Sequence, residues 1–398
     1  MTEVHSTGAT AHSKPAKPYP DFPLFPHATG RWAKKIRGRF VYFGPWSDPD
    51  GALAKYLAEK DALHAGRTPQ PPAEALTVHV LAGRYLTTKK RKLDAGELSP
   101  RSFADYTATC KGIIKAFGKA RLVADLRPED FEKLRAALAK KWGPVRLGNE
   151  VNRVRMLFRY GQENGLLNTP IVFGEGFQRP TRKTLRLHKQ AQGPKMFEAA
   201  EIRSMLKAAG QPLKAMILLG VNCGFGNADV GTLPLSALDL AGGWVIYPRP
   251  KTGIDRRCPL WPETVAALKQ WLKVRPRPED PAGANLVFLT RTGGRWTKDG
   301  ADGLADRKKA WTLTDNPLSK EARKLLDALG IDGHRNFYAL RHTFQTVGDE
   351  SGDFLAVRSI MGHAGGNDIA NEYRERLSDA RLRKVAEHVR TWLFGRKK

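Results

Sequence analysis

The chain has 398 residues, of which 41% are hydrophobic, enough for two or three domains that each bury a core. Its net charge of +27 is clustered, which indicates a polyanionic partner, nucleic acid first, rather than a surface that is basic only for solubility. The three cysteines are isolated, which disfavours a zinc site or a disulfide framework, and no apolar run reaches the roughly 18 residues of a membrane span.

The N-terminal residues 1–29 are rich in polar, Pro and His residues, and we predict a disordered tail there. The segment has no apolar stretch of the kind found in signal peptides or anchors, so a cytoplasmic location is expected. We expect all three cysteines to be buried thiols.

Residues 30–66 have the pattern of a small sheet followed by a helix. β-branched and aromatic residues flank a Gly turn within residues 31–44, and a helix is predicted for residues 48–64. The cations proposed to bind DNA here are Lys34, Lys35, Arg37 and Arg39. A sheet that presents cations beside one helix can lie in a DNA groove; the alternative is a small solvated sheet.

A Pro-rich linker leads to a predicted domain of residues 74–175, in which a helical pattern runs from Leu76 to about Leu167. Pro128 is expected to open a helix, because Pro suits the first position and two acids follow it. One run of adjacent cations needs either phosphate or open solvent, and the sequence does not choose between them. The run is Lys89, Lys90, Arg91 and Lys92.

Residues 176–196 are predicted to be an extended basic linker with no acid between residues 177 and 196. Its expected DNA contacts include Arg182, Lys183 and Arg186. Such a connector can follow a DNA backbone, and counterion release would supply much of its affinity.

Residues 197–398 are predicted to form the last domain, with helices at 197–209, 213–221 and from Pro262, and a short strand at 287–289. A hairpin of strands 244–248 and 256–260 turns at Lys251-Thr252-Gly253. Its further cations, also proposed to bind DNA, are Arg249, Arg256 and Arg257. A C-terminal helix, Asp379–Phe394, has an apolar stripe.

Near the C-terminus the sequence Tyr338-Ala-Leu-Arg341-His342-Thr-Phe is followed by Met-Gly-His363 and by Tyr373-Arg. An arginine, a histidine and a tyrosine in this order suit metal-free attack on a phosphodiester. Taken one by one, Tyr373 can be a packing residue and His363 a cap, and we expect His342 to be structural.

These motifs resemble those of the tyrosine recombinase (phage integrase) family, and the resemblance covers nearly the whole chain. It implies a mainly α fold with small β elements (α+β). Residues 30–66 would be an arm-type DNA-binding domain, residues 74–175 a helical, SAM-like core-binding domain, and residues 197–398 a mixed α/β catalytic domain. It also implies cutting and rejoining of DNA through a 3′-phosphotyrosine, without metal or other cofactor.

The resemblance assigns a role to each matched residue. Tyr373 would be the nucleophile, Arg341 and His363 would stabilise the phosphorane, and Lys251 would protonate the leaving 5′-oxygen. The partner it implies is an attachment site in double-stranded DNA. The protein would be a monomer in solution and a homotetramer on DNA, and directionality or host bending factors would act with it. The C-terminal helix is expected to dock onto a neighbouring protomer; the alternative is that its stripe closes its own core.

Two positions depart from the family pattern. Gly226 stands at the first catalytic arginine position, three residues before Asp229 at the acid position, and Tyr338 stands where His or Lys is usual. We expect Asp229 to orient its neighbours. We also expect one nearby arginine to enter the site when DNA is bound. The four candidates are Arg249, Arg256, Arg257 and Arg374.

The expected function is that of a site-specific recombinase of a mobile element or prophage, nucleoid-associated when bound. The competing interpretation is a catalytically degenerate DNA-binding accessory protein of the same fold, which the missing arginine favours. An RNA-binding protein has weaker support, because no aromatic RNP-type run occurs in the sequence.

Overall fold

The computed structural model describes residues 14–67, 76–297, 316–363 and 375–395. The contacts divide the chain into two compact units, Met1–Pro180 and Thr181–Lys398. Within the described ranges, no helix is long and apolar enough to cross a lipid bilayer. All three cysteines are free and buried, as predicted.

The first unit begins with a three-stranded antiparallel sheet and one helix that contacts it. The elements are β1 (Phe25–His27), β2 (Arg31–Ile36), β3 (Arg39–Pro45) and α1 (Pro49–His64). Arg37 and Gly38 join β2 to β3 and both have positive φ (48° and 81°), as a two-residue type I′ turn requires. Asp48 begins α1 by accepting the N–H of Gly51 at 2.9 Å.

The predicted disorder of residues 1–29 is wrong for residues 14–29, while residues 1–13 lie outside the described ranges. Phe22 and Leu24 are buried in the core of this small domain, and the Phe22 ring lies edge-on to Trp32 at 5.0 Å. A two-stranded hairpin is only marginally stable by itself, so the added strand β1 and these apolar side chains complete the core.

The rest of the first unit is a helical domain. Its helices in the described residues are α2 (Val78–Asp94), α3 (Pro100–Phe117), α4 (Pro128–Ala139) and α5 (Pro144–Glu163). Helix α4 begins at Pro128 as predicted. Phe131 and Phe158 lie in its core, with ring centroids 5.3 Å apart. Phe177 is fully buried in the same core, so the domain continues beyond the predicted boundary at residue 175.

The prediction of an extended linker at residues 176–196 is wrong, because ten of these residues form helix α6 (Arg182–Ala191). Thr181 begins this helix by accepting the N–H of Thr184 at 3.1 Å, and no Pro or Gly interrupts it. None of its residues is buried, so α6 presents its cations to solvent.

The second unit is built around α8 (Leu213–Cys223), which is buried along most of its length. Besides α6 and α8, its helices in the described residues are α7 (Ala199–Ala208), α9 (Asn227–Gly231), α10 (Pro262–Val274), α11 (Pro317–Ala328), α12 (Ala339–Asp349), α13 (Phe354–Met361) and α14 (Asp379–Phe394). Its antiparallel sheet has β4 (Leu238–Asp239), β5 (Trp244–Ile246) and β6 (Arg257–Pro259) in that order. The strand predicted at residues 287–289 is only a pair of isolated bridges at Leu286 and Leu289.

The base of the β5–β6 hairpin is fixed to α8 by one buried amide. Asn222 donates to the Pro259 carbonyl and accepts from the backbone N–H of Trp261 and from the Thr264 hydroxyl, each at 2.9 Å. The contacts join α8 to the last residue of β6 and to the chain that follows it. A buried polar group that is satisfied in this way fixes a single arrangement of the elements it joins.

The apolar stripe of α14 lies in the core of its own unit, which corrects the expected docking onto a neighbouring protomer. The four stripe residues are Leu382, Val385, Val389 and Leu393, all buried. Arg390 adds a two-pronged ion pair to Glu263 on α10, at 3.0 and 2.6 Å. The stripe is therefore already covered by residues of the same chain.

Candidate active site

Arg341 lies in the first turn of α12, and only 2% of its surface is exposed. Its Nη1 donates to the carbonyl of Gly224 at 2.5 Å, and its Nη2 donates to the carbonyl of Met361 at 2.7 Å. Gly224 follows the last residue of α8 and Met361 ends α13. Both acceptors thus lie at helix C-termini, where partial negative charge stabilises a cation. Burial, then the nearby Arg249, lowers the pKa of Arg341, but a guanidinium stays charged.

The glycines that follow these two helices make the arrangement possible. Gly224 (φ 62°) and Gly362 (φ 61°) both have the left-handed conformation that ends a helix. A Cβ on Gly362 would lie 2.7 Å from Cδ of Arg256 and 2.9 Å from Cβ of Arg249. Glycine at 362 therefore turns the backbone and also lets two arginines of the hairpin approach.

His363 follows Gly362, and its Nε2 lies 2.9 Å from Nη2 of Arg341. A guanidinium only donates, so Nε2 is the acceptor and the ring proton lies on Nδ1. Burial, followed by Arg341, Arg249 and Arg358, lowers the pKa of His363 to about 4. The imidazole is therefore neutral at pH 7.

The β5–β6 hairpin brings the segment of Lys251 to the same place. Thr252 Oγ1 donates to the carbonyl of Gly362 at 3.4 Å, and Nη1 of Arg249 donates to the same oxygen at 3.2 Å. Lys251 is exposed in the turn beside Thr252. The hairpin tip is thus attached to the residue before His363.

Arg256 lies inside the protein, with no exposed side-chain surface. Its Nη2 donates to Oδ1 of Asp229 at 2.9 Å, its Nε donates to the Tyr247 carbonyl, and its guanidinium lies 4.4 Å from the Phe225 ring centre. Nη1 is buried with no hydrogen-bond partner among the described residues. The predicted DNA contact of Arg256 is wrong, because no atom of its side chain reaches the surface.

The two residues that depart from the family pattern lie against each other. A Cβ on Gly226 would lie 2.9 Å from Cε2 of Tyr338 and 3.0 Å from its Cδ2. The N–H of Gly226 donates to Oδ2 of Asp229 at 2.7 Å, and this hydrogen bond holds the glycine immediately before the first residue of α9. Tyr338 is 42% exposed at the start of α12, edge-on to His342. The tyrosine ring therefore lies over the position of the missing arginine.

The next arginine candidate, Arg257, is engaged elsewhere. Arg257 lies over the Trp244 ring at 3.9 Å and forms an ion pair with Asp379, on the outer face of the hairpin. Tyr373 and Arg374 lie outside the described residues. The structure thus brings together Arg341, His363 and the hairpin that carries Lys251.

The cations predicted to bind DNA in the first unit differ in their surroundings. On the small sheet, Lys34 lies over the Tyr56 ring at 4.8 Å. The other predicted DNA contacts of the sheet, Lys35, Arg37 and Arg39, are exposed. On α2, Lys89 lies about 5 Å from two tyrosine rings and Lys90 forms an ion pair with Asp94. Arg91 and Lys92 are exposed. Part of the α2 run is therefore engaged within the protein.

In the second unit the predicted cations of α6, Arg182, Lys183 and Arg186, are all exposed. Arg186 also lines an open groove of about 620 Å³ beside His342 on α12. Burial, then Lys195 and Lys189, lowers the pKa of His342. Lys189 and Lys195 also line the groove, which is therefore electropositive.

Sequence reasoning did not find that Arg249 and Arg256 contact Gly362, nor that two backbone carbonyls hold Arg341. One signal was available for Arg256. Side chains alternate along a strand, so Arg256 shares a face with Cys258, and Arg257 faces the other way. Cys258 is buried, so its face points inward.

Residues 190–379 match the sequence model of the phage integrase family. These residues are thus a phage integrase domain, the tyrosine recombinase family that the motifs predict. Tyrosine recombinase XerC of Alcanivorax borkumensis is 26% identical over 179 residues, 43% of this chain and 52% of that protein. XerC of Rhizobium meliloti is 24% identical over 290 residues, 69% of this chain and 80% of that protein.

The type 1 fimbriae regulatory protein FimB of Escherichia coli K12 is 29% identical over 181 residues, 40% of this chain and 86% of FimB. The matches to XerC of A. borkumensis and of Histophilus somni span about half of those proteins, 52% and 53%.

Solved structures share the fold over most of the chain. A lambda integrase tetramer bound to a Holliday junction has a TM-score of 0.54 at 16% identity, covering 91% of this chain and 98% of that one. The Tn1549 transposon integrase with circular intermediate DNA has a TM-score of 0.55 at 15% identity, covering 79% and 99%. The predicted fold class, mainly α with small β elements, is confirmed.

Proposed function

We propose that this protein is a site-specific DNA recombinase that cuts and rejoins duplex DNA through a 3′-phosphotyrosine on Tyr373, as part of a mobile element or prophage. The observation that carries the proposal is the convergence at Met361–Gly362–His363. The buried guanidinium of Arg341 contacts the Met361 carbonyl and the neutral imidazole of His363, and the tip of the hairpin that bears Lys251 contacts the Gly362 carbonyl.

In the proposed reaction, the Tyr373 oxygen forms a bond to the scissile phosphorus as the bond from phosphorus to the 5′-oxygen breaks. Lys251 gives a proton to the departing 5′-oxygen, and the phenol proton passes to water. A 5′-hydroxyl of another strand then attacks the phosphotyrosine and releases the tyrosine. The ester bond is conserved throughout, so the sequence of steps needs no energy source.

Arg341 would stabilise the negative charge that grows on the phosphate oxygens in the transition state. Its described hydrogen bonds use three of the five N–H groups of a guanidinium. His363, held neutral with Nδ1 protonated, would donate from Nδ1 to a nonbridging oxygen. Tyr338 would contribute a neutral hydrogen bond where the family usually has His or Lys.

Duplex DNA is the proposed partner, with the net charge of +27 and the exposed cations of the sheet, α2 and α6 as support. The solved relatives are integrases bound to DNA, one of them as a tetramer on a Holliday junction. By analogy we propose that monomers assemble into a tetramer on DNA. The helical domain of the first unit and the second unit would both bind the core duplex, the small N-terminal sheet would bind separate sites, and the reaction would take place in the cytoplasm.

The test begins with a binding selection from fragmented DNA of the source genome, with Tyr373→Phe as the bait. A recovered duplex is then nicked beside the scissile phosphate, so that cleavage releases a short strand and traps the intermediate. Wild-type protein is expected to form a denaturation-resistant adduct, and Tyr373→Phe none. Tight binding with no adduct at any protein concentration would contradict catalysis.

A second candidate function is a DNA-binding accessory protein with an inactive site. The contact between Gly226 and Tyr338 favours it, because loss of one charged donor typically lowers a rate by roughly 10²–10³. The same adduct experiment separates the two candidates, since the accessory protein would bind the selected duplex without cutting it.

A further inference from the structure

We propose that Arg249, two residues before Lys251, supplies the second guanidinium of the site in place of the one missing at Gly226. The inference rests on the proposed recombinase function. It assigns to one residue a direct contact with the scissile phosphate that neither the family pattern nor the sequence spacing assigns.

The geometry places Arg249 and Arg341 on adjacent carbonyls. Nη2 of Arg341 donates to the carbonyl of Met361, and Nη1 of Arg249 donates to the carbonyl of Gly362, at 2.7 and 3.2 Å. His363 comes next in the chain and its Nε2 accepts from Arg341. Two guanidinium groups are therefore held by the two residues that precede His363, the residue proposed to touch the phosphate.

Exposure separates Arg249 from its neighbours. Arg249 is half-buried, so its remaining N–H groups can reach a ligand. Arg256 has no exposed side-chain surface, and its charge is balanced by Asp229. Arg257 is held on the outer face of the hairpin by Trp244 and Asp379. Among the three described candidates, Arg249 alone combines access with proximity to Arg341.

The charge balance indicates an anionic ligand. The described hydrogen bonds of Arg249 and Arg341 go to backbone carbonyls and to a neutral imidazole, while the nearby carboxylate of Asp229 binds Arg256 and Gly226. Like charges held close together favour a bound anion. Their proximity is also seen in the lowered pKa of Arg341, where burial acts first and Arg249 second. A phosphodiester between them would balance one of the two charges, and the negative charge that is added in the phosphorane would balance the second.

The arrangement explains how the site can lack an arginine at residue 226. Asp229, which stands at the family's acid position, is occupied by Arg256 from the hairpin strand and by the N–H of Gly226. Arg249 projects from the same hairpin two residues before Lys251. One hairpin would then deliver both the general acid and the replacement guanidinium, so the two would arrive at the phosphate together.

The test compares full-length wild type, Arg249→Ala and Arg249→Lys on two nicked duplexes of the selected sequence. One carries the natural scissile phosphate and the other a methylphosphonate, which lacks the negative charge on that group. Arg291→Ala removes an exposed arginine of the same unit to which no role is assigned, and serves as the matched control. Binding of each duplex is measured alongside adduct formation.

On the natural phosphate, Arg249→Ala is expected to slow adduct formation by about 10²-fold or more, with Arg249→Lys intermediate and Arg291→Ala unchanged. On the methylphosphonate, Arg249→Ala is expected to approach the wild-type rate, because a neutral group needs less charge compensation. A wild-type rate for Arg249→Ala on the natural phosphate would overturn the inference. So would an equal loss on both duplexes, which indicates a structural role. If wild type itself forms no adduct, the proposed function fails instead.

Discussion

The ring of Tyr338 lies directly over Gly226, so that a Cβ on residue 226 would come within 2.9 Å of the ring edge. The two positions at which this chain departs from its family are therefore one feature in space. The side chain of an arginine at residue 226 would begin in the space that the Tyr338 ring occupies. The departures depend on each other, since restoring one side chain requires moving the other.

This contact predicts a measurable coupling between the two residues. Gly226→Ala is expected to lower the free energy of unfolding by about 1–2 kcal/mol, because the new methyl group crowds the Tyr338 ring. The backbone of Gly226 is extended (φ −94°, ψ −177°), so alanine adds no conformational strain there. In a Tyr338→Ala background the cost should fall by about 0.5 kcal/mol or more. Urea unfolding of the four proteins measures it, and simple additivity would contradict the prediction.

The ion pair between Asp229 and Arg256 predicts a large effect on stability. Asp229→Asn and Arg256→Met are each expected to cost about 3–5 kcal/mol, because each leaves the partner charge buried and unpaired. The double variant should cost clearly less than the sum, since it removes both charges. Chemical denaturation of the complete cycle is the measurement. A loss below about 1 kcal/mol for either single variant would mean that the pair is accessible to solvent.

His363 is expected to titrate well below an ordinary histidine. In the free protein, NMR of its ring protons, assigned with His363→Gln, should give a pKa of about 4. Burial and the arginines Arg341, Arg249 and Arg358 lower this pKa, while Asp349 opposes them. A value near 6.5 would show that the imidazole is not held against Arg341.

The same shift predicts a pH dependence of stability. The unfolded chain binds the proton of His363 more tightly than the folded one, so folding is favoured where the ring is neutral in both states, above about pH 6.5. This contribution is lost as the pH falls from about 6.5 towards the folded pKa of about 4. The stability of wild type relative to His363→Gln should therefore decline through that window. A difference that stays constant with pH would contradict it.

The position of α14 predicts that its stripe serves folding. Leu393→Ala is expected to cost about 2–5 kcal/mol, because Leu393 is fully buried in the core of its own unit. Lys384→Ala, on the exposed face of the same helix, should change stability by less than about 0.5 kcal/mol. Thermal unfolding measures both, and analytical ultracentrifugation should show no change of oligomeric state. An assembly defect with unchanged stability would support docking instead.

Local signals in the sequence predict much of the fold. Helix α14 begins at Asp379 and ends at Phe394, as predicted, since an acid occupies its first turn and Gly395 follows it. The turn of the hairpin and the start of α4 at Pro128 are also predicted. The predictions that fail concern residues whose structure depends on tertiary contacts. In the sequence, Phe22 and Leu24 belong to a segment with the composition of a polar tail. In the folded chain they are buried in one core with Trp32.

The site divides in the same way. Arg341 and His363 can be recognised because they belong to short motifs separated by few residues. Arg249 and Gly362 are 113 residues apart, and no local pattern brings them together. The sequence therefore narrows the replacement for the missing arginine to four candidates, and the choice among them depends on burial that only the folded chain defines.

The way in which Arg341 is held has a consequence for how such a site changes over evolutionary time. Two of its three described hydrogen bonds go to main-chain carbonyls, at Gly224 and Met361. A carbonyl persists whatever side chain its residue carries, so mutations around the site cannot remove these acceptors without altering a helix end. Arg341 can therefore stay in position while the residues around it are substituted. The departures from the family pattern at residues 226 and 338 are substitutions of this kind.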